Sequence, residues 1–176
     1  MLIIGKHSLA SFLRVFVDVL LIVNILVLIF LPWLLTFLYE NPVLITQLDL
    51  YSRTDIAPGA AAGYPSDLPA NSYPFYLAFF YASGAGTAWL LLEGHLILRR
   101  LENGNPFAAA QSHSFFRVAC ACGILLVAFI AKVLTYNTLL TSFCTIIFLL
   151  LVLIALILSE VFRQAHQVKS ENELTI

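Results

Sequence analysis

Residues 133–159 read VLTYNTLLTSFCTIIFLLLVLIALILS, twenty-seven positions without a charged side chain, and the run stops abruptly at Glu160-Val161-Phe162-Arg163. At about 1.5 Å of rise per residue, its densest part, residues 143–158, covers most of a bilayer core of about 30 Å. A water-soluble domain of this size has no use for such a helix. The rest of the chain agrees with it: 61% of residues are hydrophobic and 11% charged, and the mean hydropathy is +0.93. A soluble domain carries about 25% charged residues. The fold class that follows is all-α, a polytopic membrane protein.

Working outward, three more runs complete a set of four spans. Residues 19–39 hold 21 positions without charge, too long for the core of a signal peptide and followed by no small-x-small cleavage site. They read as a retained first helix, with Pro32-Trp33 marking a kink and an interfacial anchor. Residues 75–98 are interrupted only by Glu93 and His95, and their centre, Ala82-Ser83-Gly84-Ala85-Gly86-Thr87-Ala88, is small. Small faces let membrane helices approach closely, because lipid gives apolar surfaces no reason to associate. The third run, residues 118–131, spans only about 21 Å, so Arg117 and Lys132 at its ends must snorkel outward.

The expected layout is one four-helix domain with spans at about 15–39, 74–98, 114–135 and 139–162. The fourth helix should run on to about residue 168, within a cytoplasmic tail at 163–176. Residues 40–73 form the long connection, with Pro42, Pro58, Pro65 and Pro69 against helix and Pro74 at its exit. Between helices two and three, Gly104 suits a helix stop, Asn105 an N-cap and Pro106 a first helical turn. With both termini on one side, that side holds Lys6, Arg14, Arg99, Arg100, Arg117, Arg163 and Lys169, and the other only Arg53 and Lys132. Seven against two places both termini in the cytoplasm and residues 40–73 outside.

Ionisable groups inside the spans gather toward the basic side. Asp18, Glu93 and Glu160 stand on helices one, two and four, and Arg14, Arg117 and Arg163 on helices one, three and four. Ala82, Gly86 and Glu93 fall within about 40° of one another at 100° per residue, and Arg117, Ala121, Ala128 and Ala131 make a similar stripe. Because the two helices are consecutive and antiparallel, a Glu93–Arg117 pair is expected. Arg14 and Asp18, four apart, can pair along helix one or share with Glu160 and Arg163.

Several function classes find no residues to support them. Cys120, Cys122 and Cys144 lie in apolar runs and read as packing residues. His7, His95, His113 and His166 show no ligand spacing, so neither a metal site nor a cofactor is expected. No phosphate loop, G-x-S-x-G or H-E-x-x-H is present, and a non-enzymatic protein is the reading. A net charge of -1 offers no basic stripe for direct nucleic-acid binding.

Two stretches carry a family resemblance. Leu101-Glu102-Asn103-Gly104-Asn105-Pro106-Phe107, and the end, Glu160-Val161-Phe162-Arg163 followed by Glu171-Asn172-Glu173-Leu174-Thr175-Ile176, are similar to motifs of small bacterial four-helix membrane proteins classified as a domain of unknown function. The resemblance implies the bacterial inner membrane. It also implies a cytoplasmic partner, since members are often encoded beside an Xre/Cro-type helix-turn-helix regulator. The expected docking residues are Gly104, Pro106, Phe107, Glu171, Glu173 and Leu174, where acids and apolar anchors could meet a basic protein surface. Membrane lipid is the other expected partner, and the oligomeric state stays open. The expected role is sensory or regulatory. The alternative is a small transporter or channel-like subunit, for which only Asn24, Ser83, Thr87 and a few hydroxyls of helix four offer a polar path.

Overall fold

The structure, a computed structural model, describes residues 9–41, 72–103, 109–135 and 139–174. Those residues form four helices, α1 (Leu9–Glu40), α2 (Ser72–Glu102), α3 (Ala109–Thr135) and α4 (Leu139–Leu174). Each is long and apolar enough to cross a membrane. Helix is what lipid demands, because an unpaired backbone amide in hydrocarbon costs several kcal/mol and a helix satisfies its own. The chain is a multi-pass, all-α membrane protein. The expected connection at 40–73 lies outside the described residues apart from its ends, and so does the turn carrying Gly104, Pro106 and Phe107.

Two helices run further than their apolar cores require. α1 begins at Leu9, ahead of the expected 15. α4 continues unbroken to Leu174, past the expected 168. Its final stretch is rich in Gln, Glu, Lys and Ala, good helix formers, and contains neither Gly nor Pro to stop it.

The helices pack in chain order: α1 on α2, α2 on α3, α3 on α4, with no comparable interface between α1 and α4. Neighbours are antiparallel, since Leu28 meets Gly84 and Val17 meets Gly94, while Gly86 meets Leu125 and Arg117 meets Glu93. The N-terminal ends of α1 and α3 therefore share one end of the molecule with the C-terminal ends of α2 and α4.

Each outer helix has one neighbour and shows it in its sequence. On α1, Ala10, Arg14, Val17, Leu21, Asn24, Leu28, Leu31, Leu35 and Leu38 are buried or half-buried, in alternating steps of four and three. α4 repeats the pattern from Thr141 through Thr145, Phe148, Val152, Ala155, Ser159 and Phe162. Such a seam is the contact geometry of left-handed antiparallel packing. The remaining surface of both helices is bulky and exposed, as at Phe12, Ile29, Trp33, Phe143 and Ile157, which suits lipid contact.

The small centre of α2 serves both of its neighbours. Gly84 receives the Leu28 side chain of α1, whereas a Cβ on Gly86 would lie 2.9 Å from Leu125 Cδ2 of α3. Leu125 is almost fully buried and has nowhere to go. The small residues are thus not one face but two, each fitted to a leucine. Pro32 sits inside α1 and has no N–H to give the Leu28 carbonyl, the expected cause of a local bend.

Candidate functional site

Polar contacts between helices concentrate at the end where α1 begins and α2 ends. Arg117 Nη1 of α3 donates to Glu93 Oε1 of α2 at 3.3 Å. The pair is lopsided: the Glu93 side chain is 5% exposed and that of Arg117 58%. Glu93 therefore sits sealed in the α2–α3 interface, and Arg117, expected to snorkel outward, instead turns its head to Glu93 while its side chain stays largely exposed. The second carboxylate oxygen, Oε2, is buried and has no hydrogen-bond partner among the described residues.

On its other face α2 engages α1. His95 Nδ1 lies 2.5 Å from Asp18 Oδ1. Glu102 accepts from Arg14 Nη1 through Oε2 and from Ser11 Oγ through Oε1, the latter at 3.0 Å. This corrects the expectation that Arg14 and Asp18 pair with each other or share with α4. Both project toward the adjacent α2, while among the described residues α4 has no comparable interface with α1. Glu160 and Arg163 instead pair within α4, with Arg163 Nη2 2.8 Å from Glu160 Oε1 and Arg163 Nε 2.9 Å from Oε2.

Three partners were not anticipated from the sequence. Glu102 and His95 are seven apart on α2, the spacing that puts both on the α1-facing side, and that period was the available signal. Arg100 spans to the start of α3, where Nη1 donates to Ser114 Oγ at 2.7 Å and to the Ala110 carbonyl at 3.1 Å. Gln111 and Ser114 beneath it are each 1% exposed. A further tie joins α4 to α3, Ser159 Oγ donating to the Ser112 carbonyl at 2.9 Å. Among the described residues no three His, Cys, Asp or Glu side chains gather as a metal site would require.

The opposite end is built differently. Phe79, Phe129 and Phe148 run across α2, α3 and α4 with centroids 5.3 and 5.1 Å apart. Lys132, expected to snorkel outward, turns inward: Nζ donates to Thr141 Oγ1 at 3.0 Å and stands 5.3 Å from the centre of the Phe79 ring. An aromatic face and a hydroxyl together replace the water it would otherwise seek.

With this geometry in place, the family comparison is decisive on kinship. A family model described as a protein of unknown function, DUF2975, matches residues 10–176. The chain belongs to this family. DUF2975 membership covers all four helices, and it agrees with the resemblance carried by the two sequence motifs. Curated proteins and solved structures give no match to the chain.

Of the residues expected to dock a partner, Glu171 is exposed on α4. Glu173 and Leu174 belong to the same helix, and their side chains, like the whole of Gly104, Pro106 and Phe107, lie outside the described residues.

Proposed function

We propose that this DUF2975 protein is a non-enzymatic regulatory protein of the bacterial inner membrane that holds a cytoplasmic protein partner at its charged end. The observation that carries the reading is α4, which continues as one helix some fifteen residues beyond Ser159 to Leu174. At about 1.5 Å per residue that extension is about 22 Å long. It stands on the side with the excess of Lys and Arg, which the basic-residue rule makes cytoplasmic. The partner class that the family resemblance implies is a small helix-turn-helix regulator, whose DNA-binding surface is basic and would meet Glu171 and Glu173. Holding that surface would compete with DNA, so capture at the membrane would also silence the regulator.

Support for this over a transport role comes from the hydroxyls of the spans. Ser83 donates to the Phe79 carbonyl at 2.7 Å, Thr87 to Ser83 at 2.8 Å and Thr145 to Thr141 at 2.8 Å. Each is spent on its own helix rather than lining a path.

The test is truncation after Lys169 in the native host. The expected outcome is that the membrane domain still accumulates and that its crosslinked partner moves to the cytosol. Retention of the partner by the truncated protein would overturn the proposal and return weight to the transport reading.

A further inference from the structure

A carboxylate sealed between membrane helices needs a reason to be there. Inside a bilayer such a group is costly and usually marks a site. Glu93 is 4% exposed, and among the described residues one of its two oxygens has no partner. Among those residues the other is held only by Arg117, at 3.3 Å, longer than the 2.7 to 2.9 Å typical of a charge-assisted bond. Arg117 itself is 58% exposed, free to withdraw toward the headgroups without being stranded. The carboxylate is thus half-satisfied, by a cation that can leave.

Its surroundings favour one kind of replacement. Trp89 and Glu93 lie within about 40° of each other on α2 at 100° per residue and one turn apart along it. Trp89 is 39% exposed whereas Gly86 of the same stripe packs against Leu125, so Trp89 marks the open edge of the α2–α3 interface beside Glu93. An indole one turn from a carboxylate offers a flat face for a cation, an attraction that strengthens when the cation is desolvated.

We infer that the Glu93 interface binds a lipophilic organic monocation entering from the bilayer, its charge taking the place on Glu93 that Arg117 now fills as an internal counter-ion. The hydrated inorganic cations lack an apolar body to lie against Trp89, and an anion would meet the carboxylate. Binding opens the α2–α3 clamp, so the ligand stabilises whichever helix arrangement frees Arg117. This site stands apart from the docking reading, and truncation after Lys169 leaves it intact.

The probe is tetraphenylphosphonium, added to purified full-length protein in detergent. Trp33→Phe leaves Trp89 as the sole tryptophan of the chain's two, so quenching reports on the site itself. Saturable quenching is expected, weakened at least about tenfold by Glu93→Gln and strengthened about tenfold by Arg117→Gln. Should Arg117→Gln fail to accumulate, the melting temperature decides: the probe raises it in the Trp33→Phe protein and in Glu93→Asp, and leaves Glu93→Gln unmoved. Quenching indifferent to Glu93→Gln means partition into the micelle only and overturns the inference. Weaker binding in Arg117→Gln overturns it as well, because Arg117 would then hold the ligand rather than compete with it.

Discussion

The two ends of this four-helix array are joined by different physics. At one end α1, α2 and α3 are tied by Arg14–Glu102, Asp18–His95 and Arg117–Glu93. At the other, Phe79, Phe129 and Phe148 are in ring contact, and Tyr39 meets Tyr73 edge-on at 5.4 Å. Aromatic contacts are short-ranged, indifferent to salt and tolerant of lipid on all sides. Charge pairs depend on dielectric and ionic strength, and their worth changes with whatever approaches from water. An array meant only to be stable would not need this asymmetry. One end is suited to holding fixed and the other to responding.

The sharpest way to break that contrast is to strand a charge. Arg117→Gln leaves Glu93 sealed without its described partner and should cost about 3 kcal/mol, the low end for breaking a buried pair. Glu93→Gln should cost less than half as much, because the exposed Arg117 head can turn to solvent. The double substitution should recover most of the Arg117→Gln loss. Chemical unfolding in micelles gives the order directly, and a larger loss for Glu93→Gln would show that the burial asymmetry is not what governs the pair.

A second test lies between the ends, where neither charge nor aromatic contact acts. Gly86→Ala sets a Cβ 2.9 Å from Leu125 Cδ2, and overpacking of that kind costs about 1 to 3 kcal/mol. Gly123, also on a helix, has nothing within 4 Å of where its Cβ would be. Gly123→Ala should be neutral or gain up to about 1 kcal/mol from helix propensity alone. Both effects should be the same at low and high salt in thermal melts; salt dependence would mean the charged end propagates further than its contacts.

The smallest effect is expected at Asp18. Its side chain is 39% exposed and that of His95 29%, so Asp18→Asn should cost about 1 kcal/mol or less. The loss should shrink further at about 1 M salt, where charges are screened within roughly 3 Å. Amide exchange in the first turns of α1 would read it out, with protection near Tyr39 unchanged.

Much of this architecture is legible in the sequence. Charge-free runs give four helices because lipid leaves the backbone no alternative. The juxtaposition of Glu93 and Arg117 follows from phase plus the antiparallel order of consecutive helices. What could not be read is which helices fail to meet. Periodicity says that α1 and α4 each have a face, not that α2 alone covers the first and α3 the second. For that reason the spacing of four suggests a local Arg14–Asp18 pair, whereas both belong to the seam toward α2. Lys132 departs from its sequence expectation for a related cause: snorkelling is the default for a lysine near a helix end, and only three-dimensional packing supplies Thr141 and the Phe79 ring.

α4 has a mechanical consequence of its own. A helix of 36 residues is about 54 Å long, nearly twice the hydrocarbon thickness, and it is gripped along one seam by α3 alone. Beyond Phe162, which stacks on Phe115 of α3, it is a lever arm of about 18 Å. A tilt of about 10° at that fulcrum carries its tip about 3 Å sideways, comparable with the radius of a helix. A change in the membrane too slight to unpack any side chain would thus arrive at Leu174 as a displacement large enough to open or close a contact.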